Sequence, residues 1–329
     1  MKTTEFASIV SLIRVWESKL LSNSQYDRLI DSQNLEEALR ILQDTPYGSF
    51  LENGNFETAL SSAARNMYSD ISNATPYSAL VDLMRVKYDY HNIKALIKGK
   101  ILDKDFSNIL IPNGVVAGDE LRIAINSDFL RALPSVMQEG IEAAFSDYEE
   151  TKDPQRIDII LDKYMFIHMR QIVKNINNSF VDKYLSILID LTNIKTLLRV
   201  KKLGKEPAFF RELLIEGGKI HIKTLNELYI ESTEDIFHKL GSTDYENMLK
   251  ESMEYYIKTN SFTVLEKNID NYLMDYMKEA KFINLGPEPI VVYMYARETE
   301  IKNLRIILLG KLNKVSNTLI RERLRDSYV

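Results

Sequence analysis

The chain is organised around the stretch Asp89-Tyr90-His91-Asn92-Ile93-Lys94-Ala95-Leu96, because a second version of it begins 101 positions later. The second version reads Asp190-Leu191-Thr192-Asn193-Ile194-Lys195-Thr196-Leu197, and five of its eight residues are identical to the first. A repeat at this spacing indicates that the chain is built from copies of one structural unit.

Apolar residues around the stretch predict that each copy is a helix. The side chains Leu83, Val86, Tyr90, Ile93 and Ile97 follow one another at steps of three and four residues, and the positions 101 further along are apolar as well. This spacing places the side chains on one face of an α-helix, where they pack against a core. We therefore expect the two helices to bury equivalent faces in equivalent surroundings.

A third, weaker copy is predicted at Arg297–Leu304, where Ile301-Lys302 lies 107 positions after Ile194-Lys195. In this alignment the third copy has lost the Asp and the Asn of the first two. The repeated polar signature then consists of Asp89, Asn92, Lys94, Asp190, Asn193, Lys195, Glu298 and Lys302.

Gly also recurs in the turns that follow the first two copies, at Gly114 and Gly218. A Gly in a turn allows a positive φ that other residues adopt only with strain, and we expect this to be the reason for the repetition. Further turn-forming breaks, such as Asn53-Gly54 and Leu285-Gly286-Pro287, separate the remaining predicted helices.

The predicted fold class is all-α. The 329 residues include only 12 Gly and 8 Pro, and turn-rich β architectures need many of both. The repeats predict three helical units at residues 1–105, 106–205 and 206–329, which close into one compact body and share helices at their boundaries.

Composition narrows the class of protein. The absence of Cys excludes disulfides, thiolate metal sites and thiol nucleophiles, and suits a reducing cytoplasm. A net charge of −5 argues against a nucleic-acid partner, because the field of the whole molecule repels phosphate. The start of the chain lacks the features of a signal peptide, and no stretch approaches about 18 uninterrupted apolar residues. We therefore expect a cytosolic protein that does not span a membrane.

The signature has two interpretations. Asp89 and Asn92 share a helix face and could hold a ligand or a metal ion. Alternatively, the two side chains hydrogen-bond a neighbouring helix end or loop, because buried polar groups need partners. Repetition favours the second interpretation, since a repeated scaffold must repeat its internal contacts whereas an enzyme rarely repeats its site within one chain.

Motifs for catalysis or cofactor binding do not stand out in the sequence. The segments Lys98-Gly99-Lys100 and Gly310-Lys311 do not form a phosphate-binding loop, and we interpret them as helix C-termini, where Gly caps and Lys complements the dipole. The four His lack the spacing of metal ligands. We therefore predict no catalytic residue, no cofactor, no metal site and no direct nucleotide binding.

The last predicted helix is basic although the protein is acidic. Ser316 or Asn317 can cap it, and it carries Arg321, Arg323 and Arg325, of which the first and last stand four residues apart. These arginines form either a solvated face or a docking face for an acidic partner. We take them as the candidate partner-binding residues.

Several segments, taken in order, resemble the C subunit of the archaeal and bacterial V/A-type rotary ATPases, which corresponds to the d subunit of the eukaryotic vacuolar enzyme. The resemblance begins with Phe6-Ala7 and Arg14-Val15 and continues through the turn Thr45-Pro46-Tyr47-Gly48. The two signature stretches, the pair Gly217-Gly218 and the closing segment from Arg297 to Leu324 complete it.

This resemblance implies a funnel-like helical body with pseudo-threefold symmetry and no active site. It also implies a peripheral protein on the cytoplasmic face of the membrane, which sits on the proteolipid ring and receives the D and F subunits of the central stalk. Such a protein would couple the rotary motor to proton or sodium transport, or to ATP synthesis. The rival interpretations are a generic cytosolic helical-repeat scaffold that binds proteins and, more distantly, an all-helical enzyme.

Overall fold

A computed structural model describes residues 3–51 and 55–329, so the predicted break at Asn53-Gly54 lies outside the described residues. Within the described ranges the regular secondary structure is entirely helical, which confirms the all-α class. The short 3₁₀ helices are Thr3–Phe6, Gly48–Phe50, Ser107–Ile109 and Leu130–Ala132. The α-helices are α1 (Ala7–Glu17), α2 (Asn23–Asp31), α3 (Leu35–Gln43), α4 (Phe56–Ala74), α5 (Ser78–Leu102), α6 (Gly118–Asn126), α7 (Ser135–Thr151), α8 (Pro154–Ile176), α9 (Ser179–Lys202), α10 (Pro207–Leu213), α11 (Ile222–Tyr229), α12 (Thr233–Leu240), α13 (Glu246–Thr259), α14 (Thr263–Lys278), α15 (Glu288–Leu312) and α16 (Asn317–Arg323).

The helices divide between two compact units. The central unit is Tyr77–Ile230 and contains α5 to α11. The terminal unit combines the part of the chain up to Pro76 with Glu231–Val329, and it contains α1 to α4 and α12 to α16. The division into three repeats at 1–105, 106–205 and 206–329, and the funnel-like shape, stay predictions.

The longest helices lie at the centre of the packing in their units. In the central unit, α5 packs against α6 and α8, and α9 packs against α8, α10 and α11. In the terminal unit, α15 packs against α1, α3, α4, α14 and α16. Each of the three is 24 or 25 residues long and buries side chains on most of its circumference. A helix that is buried all round must satisfy its polar side chains inside the protein.

The core of the terminal unit joins the two ends of the chain. Leu29 and Leu42 from α2 and α3 are fully buried against Leu304 and Leu308 from α15. Burial of such a side chain contributes about 1.5–3 kcal/mol, so the packing of α15 against the N-terminal helices is a main source of the stability of this unit.

Local sequence fixes where several helices begin and end. Ser22 and Gln25 form a capping box at the start of α2, and the side chains of Asn178 and Ser316 cap α9 and α16. At the other end, α7 and α8 stop at Lys152 and Asn177, which adopt left-handed backbone angles.

Candidate functional site

Asp89 on α5 is fully buried and accepts two backbone hydrogen bonds from the turn before α6. The N–H of Val115 donates to its Oδ2 and the N–H of Val116 to its Oδ1, both at 3.0 Å. Both donors come shortly before Gly118, where α6 begins. Burial raises the pKa of Asp89 to about 6, although these two N–H donors act in the opposite direction.

Asp190 on α9 repeats this arrangement. It is also fully buried, and the N–H groups of Lys219 and Ile220 donate to its two oxygens at 3.0 and 2.9 Å. These donors lie just before Ile222, the first residue of α11. In both copies the carboxylate therefore holds the N-terminal side of a short helix, where negative charge is also favoured by the helix dipole.

The repeated Gly residues are required by the carboxylates. A Cβ on Gly114 would lie 2.2 Å from Oδ1 of Asp89, and one on Gly218 would lie 2.1 Å from Oδ1 of Asp190. Neither Gly has a positive φ, which is found instead at the neighbouring Gly217 (98°). The expectation that the repeated Gly serves a positive φ was therefore wrong; close approach of the carboxylate is the physical reason.

Asn92 and Asn193 each exchange two hydrogen bonds with one backbone residue. Nδ2 of Asn92 donates to the carbonyl of Ile111 at 2.9 Å, and the N–H of Ile111 donates to Oδ1 at 2.7 Å. Asn193 and Ile215 make the same pair at 2.8 and 3.0 Å. A carboxylate could not replace this amide, because it has no N–H to donate.

The third copy keeps this contact in a different register. Asn303 on α15 exchanges two hydrogen bonds with the backbone of Arg325, both at 2.9 Å. Three positions earlier, the buried carboxylate of Glu300 accepts a hydrogen bond from the N–H of Leu21. The third copy therefore lies 110 positions after the second, not 107: Asn is retained, and Glu takes the place of Asp.

A lysine completes the pattern on each long helix. Nζ of Lys100 donates to the carbonyl of Ile125 at 2.7 Å, near the C-terminus of α6. Nζ of Lys201 donates to the carbonyl of Tyr229 at 2.8 Å, at the end of α11. Lys311, which is buried, donates to the carbonyl of Ile30 near the end of α2.

These contacts define three brackets, each consisting of an acid, an Asn three positions later and a Lys eleven positions after the acid. The brackets are Asp89–Asn92–Lys100 on α5, Asp190–Asn193–Lys201 on α9 and Glu300–Asn303–Lys311 on α15. Eleven helical residues span about 16 Å, slightly more than the about 12–14 Å of a helix of eight or nine residues, so the acid and the Lys reach both ends of such a helix. Each bracket therefore places a negative charge at the N-terminal side and a positive charge at the C-terminal side of α6, α11 or α2, and both complement the helix dipole.

The bracket lysines refine one sequence interpretation. Lys100 and Lys311 follow Gly99 and Gly310, and we expected these pairs to terminate their own helices. Lys100 and Lys311 do lie in the last turns of α5 and α15, as expected, but the C-caps are Asp103 and Asn313 and not the glycines. The two lysines also bind the ends of other helices.

The remaining signature residues connect neighbouring helices. Lys94 forms an ion pair with Asp162 on α8 at 2.5 Å, and Lys302 forms one with Asp270 on α14. The carboxylate of Glu298 accepts a hydrogen bond from the hydroxyl of Tyr68 on α4. Lys195 is half-buried on α9.

Sequence reasoning missed a buried polar network around the third bracket. The guanidinium of Arg297 lies 4.2 Å from the centre of the Tyr47 ring and forms an ion pair with Glu300. The hydroxyl of Tyr47 donates to Glu300 at 2.8 Å. Burial raises the pKa of Tyr47 well above its ordinary value. From the sequence, Tyr47 was expected only as part of a turn. The signal that could have revealed its contact is Glu300, because an acidic side chain on a largely buried helix needs a polar partner.

The structure separates the three C-terminal arginines. Because α16 ends at Arg323, Arg325 lies beyond the helix and does not share a helical face with Arg321. Arg321 forms an ion pair with Asp31 at 2.8 Å, and Arg325 forms one with Asp270 at the same distance. Arg323 is exposed. Their role in partner binding stays a prediction.

The described residues contain neither a cluster suited to a metal ion nor a helix suited to crossing a membrane. Among the described residues, no group of three or more His, Asp or Glu side chains is placed to hold a metal ion. None of the described helices is both long enough and apolar enough to cross a lipid bilayer.

Comparison with known proteins gives matches over almost the whole chain. A model of the ATP synthase (C/AC39) subunit family matches residues 9–323. The chain is 26% identical to the V-type sodium ATPase C subunit of Enterococcus hirae, covering 98% of this chain and 99% of that protein. It is 27% identical to the A-type ATP synthase C subunit of Methanocaldococcus jannaschii, covering 97% and 86%.

The range matched by the family contains the residues of all three brackets. The chain therefore belongs to the ATP synthase (C/AC39) subunit family, the family of the C subunits of V-type and A-type rotary ATPases.

Proposed function

We propose that this protein is a non-catalytic part of the rotor, which joins the D and F subunits of the central stalk to the membrane proteolipid ring. In this role it lies on the cytoplasmic face of the membrane and transmits torque. The observation that carries the proposal is the alignment over 98% of this chain and 99% of a relative that is the C subunit of a V-type sodium ATPase. Proton or sodium transport and ATP synthesis are the processes that it would couple.

The internal contacts of the protein suit this role, because a part that transmits torque must resist deformation. Polar brackets fix the relative positions of long and short helices, since a displaced helix would leave buried polar groups without partners. Ion pairs between α5 and α8 add further links, with Lys94 bound to Asp162 and Lys98 to Asp158 at 2.5 and 2.7 Å.

Removal of the protein tests the proposal. Membranes from cells that lack it should hydrolyse ATP but transport few ions, and expression of the wild-type chain should restore transport. Unchanged transport in its absence would contradict the proposal, and a generic binding scaffold would give that result.

A further inference from the structure

The short helices α2, α6 and α11 are each bound at or near both ends by one bracket. They have nine, nine and eight residues, and helices shorter than about 12 residues are marginal on their own in water. Unfolding of a helix begins at its ends, where backbone groups lack partners within the helix. Each bracket binds backbone groups at or just beyond both ends of one short helix, so it acts where opening would begin.

The chemistry of the brackets indicates that they specify position. Asp89 and Asp190 are completely buried, and Lys311 is 8% exposed. Buried charges are costly, and apolar side chains of similar volume often give equal or greater stability. A hydrogen-bonded charge differs from an apolar contact in one respect: its partner cannot slide without loss of the bond.

The third bracket has the same arrangement as the first two, although its partners lie much further away along the chain. In the first two brackets, the hydrogen-bonded partners lie between 19 and 30 residues further along the chain. The third also binds Leu21 and Ile30, which are separated from Glu300 and Lys311 by 279 and 281 residues. The same acid–Asn–Lys geometry has therefore been built from distant parts of the chain.

We propose that the bracket lysines Lys100, Lys201 and Lys311 are positioning residues for torque transmission. They hold the C-terminal ends of α6, α11 and α2 against displacement when the protein is under load, so that these short helices behave as rigid parts of the rotor. This inference rests on the proposed function, and it identifies which internal contacts set the efficiency of coupling.

Lys201 offers the cleanest test, because it is only half-buried and Met can replace its aliphatic part. Lys201→Met removes the donor to Tyr229, whereas Lys201→Arg keeps a donor at this position. Lys104→Met is the matched control, since Lys104 is an exposed lysine just beyond α5 in the same unit. Amide hydrogen exchange on the purified protein and ions transported per ATP in the assembled complex are measured for each variant.

Lys201→Met should speed amide exchange in residues 222–229 roughly tenfold, because a charge-assisted hydrogen bond is lost, while exchange in α8 stays unchanged. In the complex, it should lower the number of ions transported per ATP at least about twofold, as expected if local opening absorbs part of the torque. Lys201→Arg should restore both values, and Lys104→Met should match the wild type.

Unchanged exchange in α11 would overturn the inference, because the lysine would then not hold the helix. Faster exchange with normal coupling would overturn it as well, because the short helix would then carry no load. Neither result touches the proposed function, which fails only if complexes that lack the whole protein still couple ATP hydrolysis to transport.

Discussion

The side-chain amide of Asn303 on α15 exchanges two hydrogen bonds with the backbone N–H and carbonyl of Arg325, each 2.9 Å long. These bonds attach the segment after α16 to α15. The same exchange joins Asn92 to Ile111 and Asn193 to Ile215 in the central unit. An amide side chain that supplies one donor and one acceptor is the contact that all three long helices have in common.

Loss of this amide should destabilise the terminal unit. Asn303→Ala removes both hydrogen bonds and leaves the N–H and the carbonyl of Arg325 without these partners, so we expect a loss of about 2–4 kcal/mol in the free energy of unfolding. Urea unfolding of the purified protein measures this loss. Asn66→Ala is the control, since Asn66 lies exposed on α4 and should change stability by less than about 0.5 kcal/mol. Equal effects of the two substitutions would contradict the role of Asn303.

The two glycines in front of the carboxylates should tolerate no side chain. Gly218→Ala would place a Cβ 2.1 Å from Oδ1 of Asp190, so the turn must shift and we expect a loss of about 2–4 kcal/mol. Gly118→Ala is the matched control, because the nearest atom to its Cβ would be 3.4 Å away. Thermal unfolding of both variants tests the difference, and a Gly218→Ala protein as stable as the Gly118→Ala protein would refute the steric explanation.

The raised pKa of Asp89 predicts how the stability of the protein depends on pH. Its pKa is about 6 in the folded protein because of burial, whereas an unfolded Asp titrates near 3.9. Between these values the folded state binds more protons than the unfolded state, so the free energy of unfolding should fall as the pH rises from about 4 to about 6. The full decrease is on the order of 3 kcal/mol.

Comparison with Asp89→Asn isolates this contribution, because Asn does not titrate. Urea unfolding between pH 4 and 7 should show the wild type losing stability relative to the variant as the pH rises. Stability curves that run parallel over this range would show that Asp89 does not titrate there.

Substitutions of Arg325 and Arg323 should differ in their effects on stability and on assembly of the complex. Arg325 is 14% exposed and is paired with Asp270, which is 23% exposed, so Arg325→Glu places like charges together and should cost about 2–3 kcal/mol. Arg323→Glu should change stability by less than about 0.5 kcal/mol, since Arg323 is exposed. Weaker assembly of the complex with Arg323→Glu and normal folding would support a docking role; normal assembly would remove Arg323 from the candidate residues.

The helical fold was accessible from the sequence because apolar spacing and duplication carry that information directly. The stripe from Leu83 to Ile97 is buried as expected, and Asp89 and Asn92 bind a neighbouring turn, which is the structural one of the two interpretations. Those features depend on residues close together in the chain.

The third bracket could not be found by matching residues one for one. Glu is one methylene longer than Asp, and it reaches the N–H of Leu21, which lies 279 residues away. Ile301-Lys302 is identical to Ile194-Lys195 in sequence, but the alignment that this identity suggests is three positions away from the alignment that the hydrogen bonds define. A better signal was present in Gly99-Lys100 and Gly310-Lys311, which fit the register that the hydrogen bonds define.

Cross-linking in the assembled complex would show whether this protein turns with the rotor. The chain contains no Cys, so single cysteines can be introduced at exposed positions such as Ile230 and Phe282 and screened for those that cross-link to the proteolipid ring. Covalent attachment to the ring should leave ATP-driven ion transport intact, while attachment to a stationary part of the complex should stop it. Transport abolished by the link to the ring, but preserved by the link to a stationary part, would contradict the proposed role.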